Sequence, residues 1–128
     1  MTNNDIYRSV IHLLAETEET AANGDYDERF PYILALFCGE AEGLDEKYRL
    51  SKGLPRAISK MRIAAVPEED FPLSDEFASA AVYYTAAMLI ADENPEFSDR
   101  LFEKYTDRIS AVYAELPCEL ERIKNIYN

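Results

Sequence analysis

The sequence predicts an all-α fold: a single domain over residues 1–128, built as a compact bundle of four to five helices with a long central loop at about residues 50–73. Three observations carry this reading. Apolar residues recur at helical spacing along most of the chain. Stop and restart signals, Asn23-Gly24 and Asn94-Pro95, separate those runs. The stretch Phe77 to Ala91 holds no charged residue although 30% of the chain is charged. Phe77, Ala80, Ala81, Tyr84, Met88 and Ala91 share one helical face there, and Val82, Tyr83, Ala87, Leu89 and Ile90 make the other faces apolar. A helix that is apolar all round is a buried one. At roughly 22 Å it is too short for a bilayer. It is the expected core helix, with Ser74 as N-cap and Asp75 and Glu76 as first-turn acids.

The other elements follow in order. Thr2 and Asp5 form a capping-box pattern before Ile6, Val10, Leu13 and Leu14, which places a first helix at about residues 4–17. A second starts near Asp25 to Glu28 and runs to about Tyr48, carried by Tyr26, Phe30, Ile33, Leu34, Phe37, Cys38, Ala41, Leu44 and Tyr48. Pro31 lies near enough to its start to be tolerated. Gly39 and Gly43, four apart, either permit close approach of a neighbouring helix or fray the end, with close packing slightly ahead. Gly53, Pro55, Pro67 and Pro72 then break the pattern. Within this loop, Ala57 to Val66 fits a helical turn and a strand alternation equally. After the core helix, Asn94-Pro95-Glu96 reads as N-cap, N1 proline and first-turn acid. The next helix carries Phe97, Leu101, Tyr105, Ile109 and Val112 on one stripe, with Glu96 and Arg100 as an i,i+4 pair. Pro117 ends it or opens a short last helix bearing Leu120, Ile123 and Tyr127.

A chain of 128 residues is long enough for a real core, and 48% hydrophobic content argues against disorder. The net charge of −12 argues against nonspecific binding to phosphate backbones, which depends on lysine and arginine. A solvated surface, docking on a basic partner, or the wall of a passage for nucleic acid all remain compatible with it. Cys38 falls in an apolar helical pattern and reads as a buried thiol. Cys118 lies 80 positions away, with no CxxC pattern. The N-terminus lacks the basic and apolar regions of a signal peptide, so a cytoplasmic location is expected.

No catalytic, cofactor-binding or metal site is expected. His12 is the only histidine, which rules out multi-histidine zinc and di-iron sites, and it reads as a helix-surface or partly buried residue. The acidic clusters lack the glycine of a calcium loop and read as helix first turns or solvated faces. Phosphate-cradling glycine loops and nucleophile elbows are absent from the sequence. The best site-like feature is basic: Lys47, Arg49, Lys52, Arg56, Lys60 and Arg62 stand in one stretch without an acid. It suits either a phosphate or acidic-neighbour contact, or internal neutralisation by the flanking Asp45, Glu46, Glu68, Glu69 and Asp70, with the second reading ahead. Tyr26, Tyr48, Tyr84 and Tyr105 sit on apolar stripes and read as core or interface residues.

Two segments carry a family resemblance: Asp25-Tyr-Asp-Glu-Arg-Phe-Pro31-Tyr-Ile-Leu-Ala-Leu36, and Phe71-Pro-Leu-Ser-Asp-Glu-Phe-Ala followed by Tyr84-Thr-Ala-Ala-Met-Leu, Glu96-Phe and Phe102-Glu-Lys-Tyr105. About half the chain thereby resembles the head–tail connector (adaptor) proteins of tailed phages and Gram-positive prophages. The basic loop matches no motif of that group. The resemblance implies a non-enzymatic helical subunit of a ring below the portal, located in the bacterial cytoplasm or the virion. Its partners would be itself and other phage structural proteins, with no specific nucleic-acid binding, membrane or small-molecule substrate. Lys47, Arg49, Lys52, Arg56, Lys60, Arg62, Leu120, Ile123 and Tyr127 are then the candidate subunit or partner contacts. The alternative is a small acidic regulator that mimics DNA. Mimicry calls for carboxylates spaced like phosphates, whereas here they cluster at helix ends.

Overall fold

The structure, a computed structural model, describes residues 1–15, 25–54, 66 and 68–116. Four helices account for most of them: α1 (Asn3–Ala15), α2 (Asp25–Lys52), α3 (Ala78–Ile90) and α4 (Pro95–Glu115). A 3₁₀ turn, Asp75–Phe77, leads into α3. The described residues contain no strand, only an isolated bridge between Thr2 and Asp70. The all-α bundle expected from periodicity is therefore the fold, with the core helix at its centre: α3 packs against α1, α2 and α4.

The reason is compositional. Ala80, Ala81, Ala86 and Ala87 of α3 are buried, so its neighbours approach a helix of small side chains closely, while Leu89 and Ile90 fill the core at its far end. Around it lie Ile6, Val10 and Leu14 of α1, Phe30, Leu34 and Phe37 of α2, and Leu101 and Val112 of α4. Phe37, Tyr84 and Tyr105 form an aromatic cluster across three helices, with ring centroids 5.3 to 6.1 Å apart. Cys38 is buried, as its place in an apolar helical pattern predicts.

Polar ties fix the order of the helices. Tyr26 Oη donates to Glu93 (2.9 Å) at one end of the α2–α3 pair, and Ser74 meets Asp45 at the other, so α2 runs antiparallel to α3. Ser98 Oγ donates to the Ala87 carbonyl at 2.9 Å, locking the first turn of α4 onto α3. The Asn94 cap forms as expected: its side chain accepts from Phe97 N at 3.2 Å and Pro95 occupies N1. The Thr2–Asp5 capping box also forms, with Asp5 N to Thr2 Oγ1 at 3.2 Å and Thr2 N to Asp5 Oδ2 at 2.9 Å. Beside it the N-terminus is pinned to the end of the central loop, Asn3 N to Glu69 O and Phe71 N to Met1 O, each 2.9 Å.

Four expectations are corrected. Helix α2 does not stop near Tyr48 but continues to Lys52, which shortens the expected loop of residues 50–73. Arg49 and Lys52 suit the negative end of the helix dipole, and the break falls at Gly53. There φ is +69°, Gly53 N donates to Leu50 O and Leu54 N to Arg49 O, the paired bonds of a Schellman end. Lys47, Arg49 and Lys52 consequently stand on a helix, not on a loop. Ser74 does not cap with its side chain, because the hydroxyl is committed to Asp45 and a 3₁₀ turn intervenes before α3. Gly43 meets no internal neighbour: the space beside its Cα is open. The extension of α1 to residue 17, the strand-or-helix stretch 57–65, and the last helix after Pro117 lie outside the described residues, as do Arg56, Lys60, Arg62, Leu120, Ile123 and Tyr127.

Candidate interaction surfaces

Three places bring together side chains that the bundle alone does not explain. The first is a clasp centred on Asp45. This carboxylate lies on the inner side of α2 and is fully buried. Its Oδ1 accepts from Ser74 N (3.0 Å) and Ser74 Oγ (2.8 Å), and its Oδ2 accepts from Arg49 Nε (2.9 Å). Arg49 Nη2 donates in turn to the Pro72 carbonyl at 3.1 Å. Burial alone would raise the Asp45 carboxyl, but the Ser74 N–H and hydroxyl and the Arg49 guanidinium outweigh it and hold the pKa below its ordinary 3.8. The clasp fixes the chain entering α3. It commits Arg49, one of the six candidate basic contacts, to the interior of its own chain. Lys52 folds back over the Tyr48 ring, 5.8 Å from its centroid, and Lys47 is exposed on the outer side of α2.

The second place is a cleft of ≈ 790 Å³ between α1, the start of α3 and the end of α4. Leu13, Val82 and Val112 give it an apolar floor and His12 stands on its α1 wall, exposed as the sequence suggested. The α3–α4 wall is charged in a definite order. Arg108 Nε donates to Ser79 Oγ at 3.0 Å, and one turn earlier Lys104 sits 5.8 Å from the Tyr83 ring centroid. At the opposite end Asp75, Glu76 and Glu115 gather. Burial first, then the fields of Glu76, Glu115 and Asp75, push the nearby Tyr48 hydroxyl above its ordinary 10. From Arg108 to Glu115 the rim runs from cationic to anionic over roughly 10 Å of helix.

The third place is the outer face of α2. Tyr32, Leu36 and Leu50 are 74%, 49% and 70% exposed. They follow one another with Gly43 at i, i+4, i+11 and i+18, which is one face of a helix over roughly 27 Å. Sequence reasoning passed over this face and over the cleft. The signal for the first was present: Tyr32, Leu36 and Leu50 are large apolar residues left out of the inward stripe of α2. The cleft had no such signal, because Ser79, Lys104 and Arg108 become neighbours only through the antiparallel packing of α3 and α4.

Among the described residues no group of histidine, cysteine and carboxylate side chains is arranged to hold a metal ion, and no helix is long and apolar enough to cross a membrane. Compared with family models, curated proteins and solved structures, the chain matches none of them.

Proposed function

We propose that this protein is a non-enzymatic structural subunit of a tailed phage or prophage, a head–tail connector that assembles with itself and with neighbouring virion proteins. The observation that carries the reading is the pair of unpartnered surfaces on a small acidic body: a large exposed apolar face on α2 and a charged-rimmed cleft between α1, α3 and α4. Exposed apolar faces rimmed by polar residues mark interaction sites. The sequence resemblance supplies the kind of assembly. A net charge of −12 suits a wall along which DNA moves without adhering. In this reading the protein takes no cofactor and no small-molecule substrate. The rival reading, an acidic DNA-mimicking regulator, has less support because Asp75, Glu76 and Glu115 cluster at helix ends instead of forming a phosphate-like row.

The test is particle composition. Induction of the prophage in the bacterium that encodes the protein, followed by mass spectrometry of purified particles, is expected to find it in the tailed particles at several copies per portal. Its absence from complete particles, or its recovery bound to a nucleic-acid-binding protein instead, contradicts the reading.

A further inference from the structure

We infer that residues 117–128 of the same chain fill the cleft between α1, α3 and α4, as a short fifth helix laid back along α4. The starting point is α3. No residue from Phe77 to Ala91 carries a charge, and a helix that is apolar on every side needs neighbours on every side. Helices α1, α2 and α4 supply three of them. On the remaining side Ala78, Val82 and Tyr83 are only half-buried, and they line the cleft together with the half-buried Leu13 of α1. Helices α1 and α4 thus flank a gap over an uncharged helix. At ≈ 790 Å³ the gap has room for about two turns of a helix roughly 10 Å across.

The end of α4 delivers the chain to this gap. Arg108, Ala111, Val112 and Glu115 form its α4 wall, so the cleft opens beside the last two turns of that helix. Leu116 then leaves the helix with φ −80° and ψ 149°, the extended conformation that a following proline imposes. Its side chain is half-buried against the core. A short connection after a helix returns the next one antiparallel to it, as in up-and-down bundles. The sequence beyond Pro117 has the pattern for such a return. Leu120, Ile123 and Tyr127 recur at i, i+3 and i+7 on one helical face, while Glu121, Arg122 and Asn125 fall on the opposite one. Leu120 to Tyr127 is roughly 10 Å of helix, the same length as Arg108 to Glu115 along the cleft. Glu119 and Glu121 are balanced by Arg122 and Lys124, so the segment brings no net side-chain charge to a body of −12. Residues 16–24, in contrast, offer no large apolar side chain. The inference does not rest on the assembling-subunit reading. With the cleft closed from within, the exposed face of α2 is left as the surface for neighbours, and Leu120, Ile123 and Tyr127 face the interior of their own chain.

The test is the alkylation rate of one thiol placed at the cleft mouth. Ala111→Cys supplies it in the full-length chain, with Cys118→Ser removing the other accessible candidate, since Cys38 is buried. With the native Leu120 and Ile123, N-ethylmaleimide is expected to react an order of magnitude more slowly than when Leu120→Asp and Ile123→Asp are added, and equally so at every protein concentration. Tyr127→Asp takes the place of the pair if the double substitution loses helical circular dichroism. Equal and fast rates overturn the inference, because the cleft is then open. Equal and slow rates overturn it as well, because another part of the chain then covers the cleft. Protection that develops only as protein concentration rises assigns the cover to a second copy and overturns it too. None of these outcomes bears on particle composition, by which the assembling-subunit reading is tested.

Discussion

Replacing Asp45 by alanine removes the acceptor of three hydrogen bonds at once, those from Ser74 N, Ser74 Oγ and Arg49 Nε. Ser74 is buried, so its backbone N–H has no route to water, and an unpaired buried donor costs about 1–3 kcal/mol. The Arg49 side chain is 17% exposed and keeps its bond to the Pro72 carbonyl, so its share is smaller, about 1 kcal/mol. Relief of the desolvated carboxylate offsets part of both. The net expectation is a loss of about 2–4 kcal/mol, a large fraction of the 5–15 kcal/mol typical of a domain. In urea that moves the unfolding midpoint down by roughly 1–3 M. Acidification adds a signed check. The folded-state pKa of Asp45 is depressed below 3.8, so its contribution is fully present above that value and disappears as the pH falls through the depressed pKa. The gap between wild type and Asp45→Ala should hold steady from pH 7 to about 5 and narrow below about pH 4. A loss under about 0.5 kcal/mol at pH 7, or a gap that widens on acidification, would refute the clasp as the anchor of the α2–α3 connection.

Three further substitutions probe other parts of the account by the same unfolding assay. Asn94→Ala removes the side chain that caps α4 through Phe97 N and should cost about 1 kcal/mol, with Asn94→Asp close to wild type. Phe77→Ala empties a fully buried site between Tyr48 and the helices around α3 and should cost about 3–5 kcal/mol; a change below about 1 kcal/mol would mean that the 3₁₀ turn does not pack as described. Thr85→Val should be neutral or stabilising by up to about 1 kcal/mol, since the buried Thr85 hydroxyl has no hydrogen-bond partner and a methyl group fits its place. A clear destabilisation there would show that the hydroxyl is satisfied in solution.

Local signals made most of the architecture legible. An uncharged run announces α3 because only a buried helix dispenses with charge on every face, and Asn94-Pro95 announces α4 because both residues act within one turn. The misreadings share a physical cause. Ser74 has every feature of an N-cap, yet its hydroxyl finds a buried carboxylate 29 positions away, and a long-range charged acceptor outcompetes a local backbone donor. Asp45 sits among Glu42, Glu46 and Lys47 and looks like part of a solvated face, so its burial is invisible to periodicity. The apolar stripe of α2 ends at Tyr48, one turn before the helix does, because the backbone ends at the residue able to adopt φ +69°. The candidate surfaces were less legible than the fold. The cleft depends on which turns of α3 and α4 face each other, and pattern in a single chain does not encode that pairing.

The central claim is that this acidic bundle is an assembling subunit. It is tested most directly by the solution mass of the unmodified full-length chain, by light scattering from micromolar to about 1 mM at moderate salt. The account predicts a mass that rises with concentration beyond twice the monomer. A mass fixed at one chain across the whole range would contradict it.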